Sequence, residues 1–231
     1  MNKDDLNKTE LELSVKSKLG SPSTLMNADR NTNFIYKIDN TNLSDNQIIE
    51  INSINPRKFR YKQRIEKIKE FSGKINFTTT ENLTFKNNLT FIDSSLPRIM
   101  AEIIYLFYTT KLTKIADLVN ELSRTNPLNY NLADGHPFYA YKIKRFLTDI
   151  ALGMTPAKVW TGVLDATGGN LIVKESGEIL CYHIYNRNEF ENYLYYNTKL
   201  DTPRSDFDYG KVYKEGSDFF FKLNLQIRYL K

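Results

Sequence analysis

Glu10-Leu-Glu-Leu-Ser-Val-Lys-Ser-Lys-Leu-Gly-Ser-Pro-Ser-Thr-Leu-Met-Asn-Ala28 is the stretch whose reading decides the fold. Leu11, Leu13 and Val15 alternate with Glu10, Glu12, Ser14 and Lys16, the period-two pattern of a half-buried strand. Neighbours on one face of a strand stand roughly 7 Å apart. One rim therefore carries two carboxylates, a hydroxyl and an ammonium in a row, and the chain then enters a Gly-Ser-Pro-Ser-Thr turn. Acidic oxygens and a lysine converging at a strand end are what metal-assisted cleavage of a phosphodiester requires. The same alternation also describes an ordinary solvated strand edge.

Outward from this strand, "NFIYKI" (33–38) reads as a second strand paired with the first, and 40–46 as a polar loop. Between Pro56 and Phe71, the positions Phe59, Ile65, Ile68 and Phe71 have helical spacing, with Gly73 past the end. "KINFTT" and "NLTFKNNLTFI" read as β. A helix with Pro97 in its first turn opens at Asp93 or Ser94, and its apolar run "RIMAEIIYLFYTT" marks it as a central core element. "KIADLVNELS" gives an amphipathic helix stopped at Asn126-Pro127, and a further helix spans 137–152 before Gly153. "NLIVK" and "EILCYHIY" form a hairpin, a helix covers 187–197, and a final hairpin closes on "FFFKLNLQIRYL". The expected class is α+β, with α/β as the alternative. It forms a single region 1–231, with a strand-and-turn segment at 10–40, a mainly helical middle at 56–160 and a β-rich end at 165–231.

The 231 residues suffice for a sizeable core, and 41% hydrophobic with 26% charged residues is ordinary for a globular chain. Cys181 is the single cysteine, and His136 and His183 are the only histidines, so a disulfide framework and a histidine-rich zinc site are excluded. No long apolar run or signal sequence appears, and the expectation is a soluble cytoplasmic protein with no membrane partner. The net charge of +5 leans toward a polyanion. Arg57, Lys58, Arg60, Lys62, Arg64, Lys67 and Lys69 crowd one stretch with Phe59 and Tyr61 among them. That mixture suits a phosphate backbone, and equally the solvated face of a helix. "DATGGN" (165–170) lacks the Gly-Lys-Ser ending of a phosphate loop and reads as a turn.

The wording of "LSVKSKLGSPSTLMNADRNTNFIYKI" (13–38) resembles the active-site lysine region of the HpaII-like family of type II restriction endonucleases. That family reads approximately Ser-Ile-Lys-Ser-x-Leu-Gly-x-x-Ser-Thr-Leu-x-Asn-Ala, then Thr-Asn-Phe. "FKNNLTFIDSSLPRIMAEI", "TNPLNY", "YKIKRFLTDIALGMTPAKVWTG", "GGNLIVKESGEILCYHIYNRNEFENYL" and "FFKLNLQIRYL" are similar to the family in the same order, across nearly the whole chain. The resemblance implies a restriction-endonuclease-like PD-(D/E)xK core, Mg²⁺ as cofactor, double-stranded DNA as partner and CCGG as target. A palindromic target makes a homodimer natural.

By this resemblance Lys16 is the catalytic lysine and Ser14 stands where the superfamily usually has an acid. A hydroxyl is a poor ligand for a hard cation beside a carboxylate, so Glu12 is the nearest candidate for the second metal ligand. For the upstream acid, Asp5 is one candidate. The favoured expectation is an aspartate on a preceding segment, so that the core is incomplete at its N-terminus. The chain would then be the C-terminal part of a restriction enzyme, or one subunit of a split enzyme with an upstream partner. Ser21, Ser23, Thr24, Asn27, Arg30 and Asn33 follow the lysine strand, and with Asn186, Arg187, Arg204 and Arg228 they are the expected DNA contacts. Arg204 departs from the family's pattern, because acidic residues follow it. The alternative function is a DNA-binding remnant that does not cleave unaided.

Overall fold

A computed structural model describes residues 13–17, 23–164, 169–173, 178–183 and 187–230. In chain order the elements are β1 (Leu13–Ser17), β2 (Thr24–Met26), β3 (Asn33–Asp39), α1 (Asp45–Ser53), α2 (Arg60–Glu70) and β4 (Lys74–Thr80). Then come α3 (Leu83–Ile92), α4 (Leu96–Thr109), α5 (Ile115–Thr125), α6 (Phe138–Ala151), β5 (Gly169–Val173) and β6 (Ile179–His183). The chain closes through α7 (Arg187–Asn197), β7 (Thr198–Leu200), β8 (Val212–Glu215), β9 (Asp218–Asn224) and β10 (Ile227–Tyr229). The class is mixed α+β.

The strands form three sheets, in the orders β1–β5–β6, β2–β10–β7 and β4–β3–β9–β8. The four-stranded sheet is antiparallel, and its inner face is set by alternation. Phe34, Tyr36 and Ile38 on β3 are buried and stand opposite Leu223, Phe221 and Phe219 on β9, also buried. Against this sheet packs α4, whose Leu96, Ile99, Met100, Ile103 and Ile104 are at most 1% exposed. The Tyr36 hydroxyl donates to the Ala101 carbonyl at 2.8 Å, which ties sheet to helix at a buried polar point. This helix is the central core element that its all-round apolar sequence predicts.

Three expectations need correction. β3 does not pair with β1: it lies between β4 and β9, while β1 runs parallel to β5. Proximity in sequence favoured the β1–β3 pairing, but the apolar face of β3 is buried only against the strands that share α4. "LTFKNNLTFI" is helix rather than strand, because Phe85, Asn88 and Leu89 fall on one buried face at i, i+3 and i+4. Asn82 accepts from the Phe85 amide at 3.1 Å and caps this helix. Inside the expected loop at 40–46, Ser44 forms a capping box with Gln47 and opens α1, a helix the periodicity did not announce.

Buried Asn88 fixes the long connection out of α6. Its amide donates to the carbonyls of Thr155 and Lys158 at 3.1 and 2.7 Å and accepts from the Trp160 amide at 2.9 Å. The hairpin expected at the end of the middle region is observed as β5–β6, with Val173 opposite Ile179.

Candidate active site and nucleic-acid interface

Parallel pairing with β5 holds the strand that carries Ser14 and Lys16. Ser14 stands opposite Asn170 and Lys16 opposite Ile172, in register from Leu13↔Gly169 to Ser17↔Val173. Parallel strands need a long crossover, and here nearly the whole helical middle lies between the two. β5 is the centre of this sheet, and α7 follows β6 and packs on both β6 and α6. The expected metal ligands Glu12 and Asp5 lie outside the described residues, as do Ser21 and Asn186. Among the described residues, no group of three or more His, Cys, Asp or Glu is gathered as a metal site.

The polar run after β1 divides into two sets. Asn27 and Arg30 are exposed, and Arg30 makes no ion pair among the described residues. Thr24 is half-buried on β2, and Ser23 accepts the Tyr229 amide on its carbonyl at 3.0 Å. Asn33 goes the other way, and its placement corrects the expectation of a DNA contact. It is fully buried, and its amide donates to Glu81 at 2.6 Å and the Phe207 carbonyl at 2.8 Å. Its oxygen accepts from Asn224 at 2.6 Å. An interior amide with these partners has no donor left for a base edge.

Asn33 belongs to a network that fixes the loop before β3. Asp29 caps a 3-10 turn over Arg30–Thr32 through a capping box, accepting the Asn31 amide at 2.7 Å. Asn224 donates to the Asp29 carbonyl at 2.7 Å and accepts from the Thr32 hydroxyl at 3.1 Å. Asn82 reaches Asn31 from the start of α3. The Asp-x-x-Thr spacing is the one sequence signal that announces this turn. Asn224 and Glu81 arrive from far along the chain, and nothing local points to them.

The three-stranded sheet β2–β10–β7 brings together residues distant in sequence. Arg228 on β10 pairs across to Thr24 on one side and Lys199 on the other. Its guanidinium donates to Asp201 at 3.2 Å, in a half-exposed ion pair. Arg187 opens α7 and pairs with Glu191 at 2.7 Å, while Arg204, 83% exposed at its side chain, pairs with Asp206 at 2.8 Å. Thr24 and Arg228 thus share a surface, whereas Arg187 stands apart at the end of the β5–β6 hairpin.

Near Glu191, the partner of Arg187, Asp149 on α6 is 6% exposed. Burial pushes its carboxyl from the ordinary 3.8 up to about 6, and the nearby Glu191 charge adds to the effect. Arg145 stands 3.6 Å from it but is itself 42% exposed, too solvated to offset the desolvation.

The chain is mixed α+β with Lys16 on β1 and a hydroxyl-rich stretch of sequence after it, and comparison with known proteins places it in a restriction-endonuclease family. The chain matches the HpaII restriction endonuclease family over residues 1–229, and it belongs to that family. It is 54% identical over 221 residues to the type II restriction enzyme HpaII of Haemophilus parainfluenzae. The match covers 95% of this chain and 60% of that enzyme, so the chain spans well under two thirds of its relative's length. No solved structure matches it. Among the described residues, no helix is long and apolar enough to cross a membrane.

Proposed function

We propose that this protein is a type II restriction endonuclease that recognises a short palindromic site in duplex DNA, CCGG first among candidates, and hydrolyses a phosphodiester bond there. The observation that carries the reading is the family match over 1–229, which includes the Ser14-Val15-Lys16 strand and the hydroxyl-rich sequence after it. The core is of the PD-(D/E)xK kind, with the lysine strand β1 held against β5.

Lys16 is the catalytic lysine: as the ammonium it donates a hydrogen bond that orients the attacking water, and only as the neutral amine does it take that water's proton. Glu12, with Asp5 as a candidate for the second acid, would hold Mg²⁺ through hard carboxylate oxygens suited to that ion. When bound, the cation supplies a more acidic water and neutralises charge on the phosphate. Ser14 fills the position of the usual acid and contributes a hydroxyl beside the lysine. Ser23, Thr24, Asn27 and Arg30 face the DNA with Ser21 and Asn186. Arg187, Arg204 and Arg228 are the candidates for bidentate pairing with guanine, which a site built of C and G requires. Each is held by a carboxylate in the free protein, so contact with DNA exchanges that partner for phosphate or base. Two copies related by a two-fold axis match a palindrome.

The decisive experiment incubates the purified protein with plasmid carrying CCGG sites and Mg²⁺, against an EDTA control. Discrete fragments that require the cation are expected. Sequence-specific binding in a gel shift with no cutting at any Mg²⁺ concentration would overturn the catalytic half and leave a recognition protein. Lys16→Ala should abolish cleavage while CCGG binding stays within a few-fold of wild type. A variant that cuts at the normal rate removes Lys16 from the site. Glu12→Gln should shift the Mg²⁺ dependence of cleavage, and an unchanged dependence removes Glu12 as a ligand.

A further inference from the structure

Far along the chain from β1, the start of α2 and the end of α4 enclose an open cavity of about 860 Å³. Five cations line it: Arg57, Lys58, Arg60, Lys62 and Lys111. No carboxylate lines it. In a chain whose total excess is +5, this is a strong concentration of one sign. Arg57, Lys58 and Lys111 are exposed, and among the described residues none of them pairs with an acid. Lys62 touches Glu66 only at 3.9 Å. Like charges packed in a cleft repel one another and focus a positive potential, an arrangement that a polyanion relieves.

The uncharged part of the lining narrows the ligand. Phe107, Tyr108 and Leu112 give an apolar wall, and Phe59 stands at the rim, 55% exposed and in the left-handed conformation at φ 59°. Planar and apolar surfaces beside ammonium groups suit sugar faces between phosphates. The Asn55 side-chain oxygen and the Arg60 guanidinium are already engaged. Asn55 accepts from Arg60 at 2.8 Å, and the other arm of Arg60 donates to the Tyr61 hydroxyl at 2.8 Å. The same guanidinium lies 4.7 Å over the Tyr61 ring. What remains for a ligand is mainly lysine and arginine charge beside an apolar wall, the kind of contact that positions a backbone.

Its place relative to the proposed DNA contacts Thr24 and Arg228 follows from the small sheet. Thr202 lies on the cavity wall just beyond β7, one edge of β2–β10–β7, and Thr24 lies on the other edge. Two strand spacings separate Thr24 from Lys199, about 10 Å. At 3.4 Å per base pair that is about three base pairs.

We infer that this cavity grips the sugar-phosphate backbone of DNA outside the recognised bases, setting affinity and salt dependence without contributing to sequence choice. The inference rests on the restriction-endonuclease reading and adds a second contact surface to it. Its test is the exposed triple variant Arg57→Ala/Lys58→Ala/Lys111→Ala, which leaves the packed Arg60 in place. Binding of wild type and variant is followed by fluorescence anisotropy in EDTA from about 50 to 200 mM salt, the range in which phosphate contacts show most clearly. The duplexes are about 8 and 30 base pairs long, each with a central CCGG or a scrambled centre, so that the short one ends about two base pairs from the target and stops short of the cavity.

On the long duplex, the variant should lose about 3 from the slope of log K against log salt, near 0.9 for each lost phosphate contact. On the short CCGG duplex, the two proteins should agree in slope and within two-fold in Kd. The preference for CCGG over the scrambled centre should be unchanged. Equal slopes on the long duplex overturn the inference, as does an equal loss on the short one, which would place the cavity at the target itself. If wild type shows no preference for CCGG, the proposed recognition fails, while the slope comparison on either sequence still decides the cavity.

Discussion

Gly210 has φ +77°, and a Cβ at that position would stand 2.0 Å from Cε1 of Tyr61. Tyr61 cannot yield, because its ring stacks on Tyr209 at 4.9 Å and meets Tyr108 edge-on at 5.3 Å. Gly210→Ala therefore combines left-handed strain with overpacking, and should lower stability by about 3 kcal/mol in urea denaturation. Asp149 makes a prediction in pH. A carboxyl that holds its proton more tightly folded than unfolded weakens the fold as pH rises from about 4 to about 6, because the native state must give up that proton. Allowing for solvent screening at this partly buried site, the loss is about 1–2 kcal/mol. Asp149→Asn should shrink the fall in stability between pH 4 and 7 by that amount, and an unchanged pH profile would show that Asp149 ionises freely in the fold. Neither residue stands out in the sequence. Gly210 follows a run of Asp and Tyr in a polar segment, and an aspartate on a helix is by default a surface charge.

At the scale of elements, α1 depends on its start. Ser44 accepts the Gln47 amide at 3.3 Å and the Gln47 side chain returns to the Ser44 amide at 2.9 Å. The helix is short and has one fully buried residue in its body, Ile51. Ser44→Ala should cost about 1 kcal/mol, read as a shifted denaturation midpoint with unchanged slope. The contrast between α3 and α4 shows why some elements were legible. α4 carries apolar residues on most of its surface and a proline in its first turn, so no other assignment competes. "LTFKNNLTFI" mixes Thr and Phe with polar residues at spacings that satisfy both periods. It is helix because Asn88 is needed inside, bonded to the loop at 155–160, and a strand would turn that amide away from it.

Across the whole molecule, one cluster of buried residues runs from Leu25 on β2 through α4 to Tyr229 on β10. Trp160, the only tryptophan, packs on this cluster from the connection that Asn88 anchors. Unfolding followed by Trp160 fluorescence should therefore coincide with the loss of helical circular dichroism in a single transition. Two separated transitions would show that the 155–164 connection releases before the core. The interior polar network makes the same point about distance. Asn33 and Asn224 are far apart in the chain, yet the buried Asn224 amide donates to the Asn33 side-chain oxygen. Of the expected DNA contacts, only the tertiary structure removes Asn33 and places Thr24 beside Arg228.

What the sequence by itself determined is local or written in a conserved order of words. The lysine strand, the β5–β6 and β8–β9 hairpins, α4 through α7 and the HpaII-like resemblance all rest on period, caps and wording within short windows. The basic-aromatic stretch at 57–62 was visible too, though it read equally well as a solvated helix face. Only the tertiary structure decided which strands pair, since β1 meets β5 and β3 meets β9 across most of the chain's length. It alone supplied Lys111 and the aromatic wall from α4 to that basic stretch. The physical reason is common to both: long-range contacts are fixed by which faces bury together, and no window of sequence contains both faces.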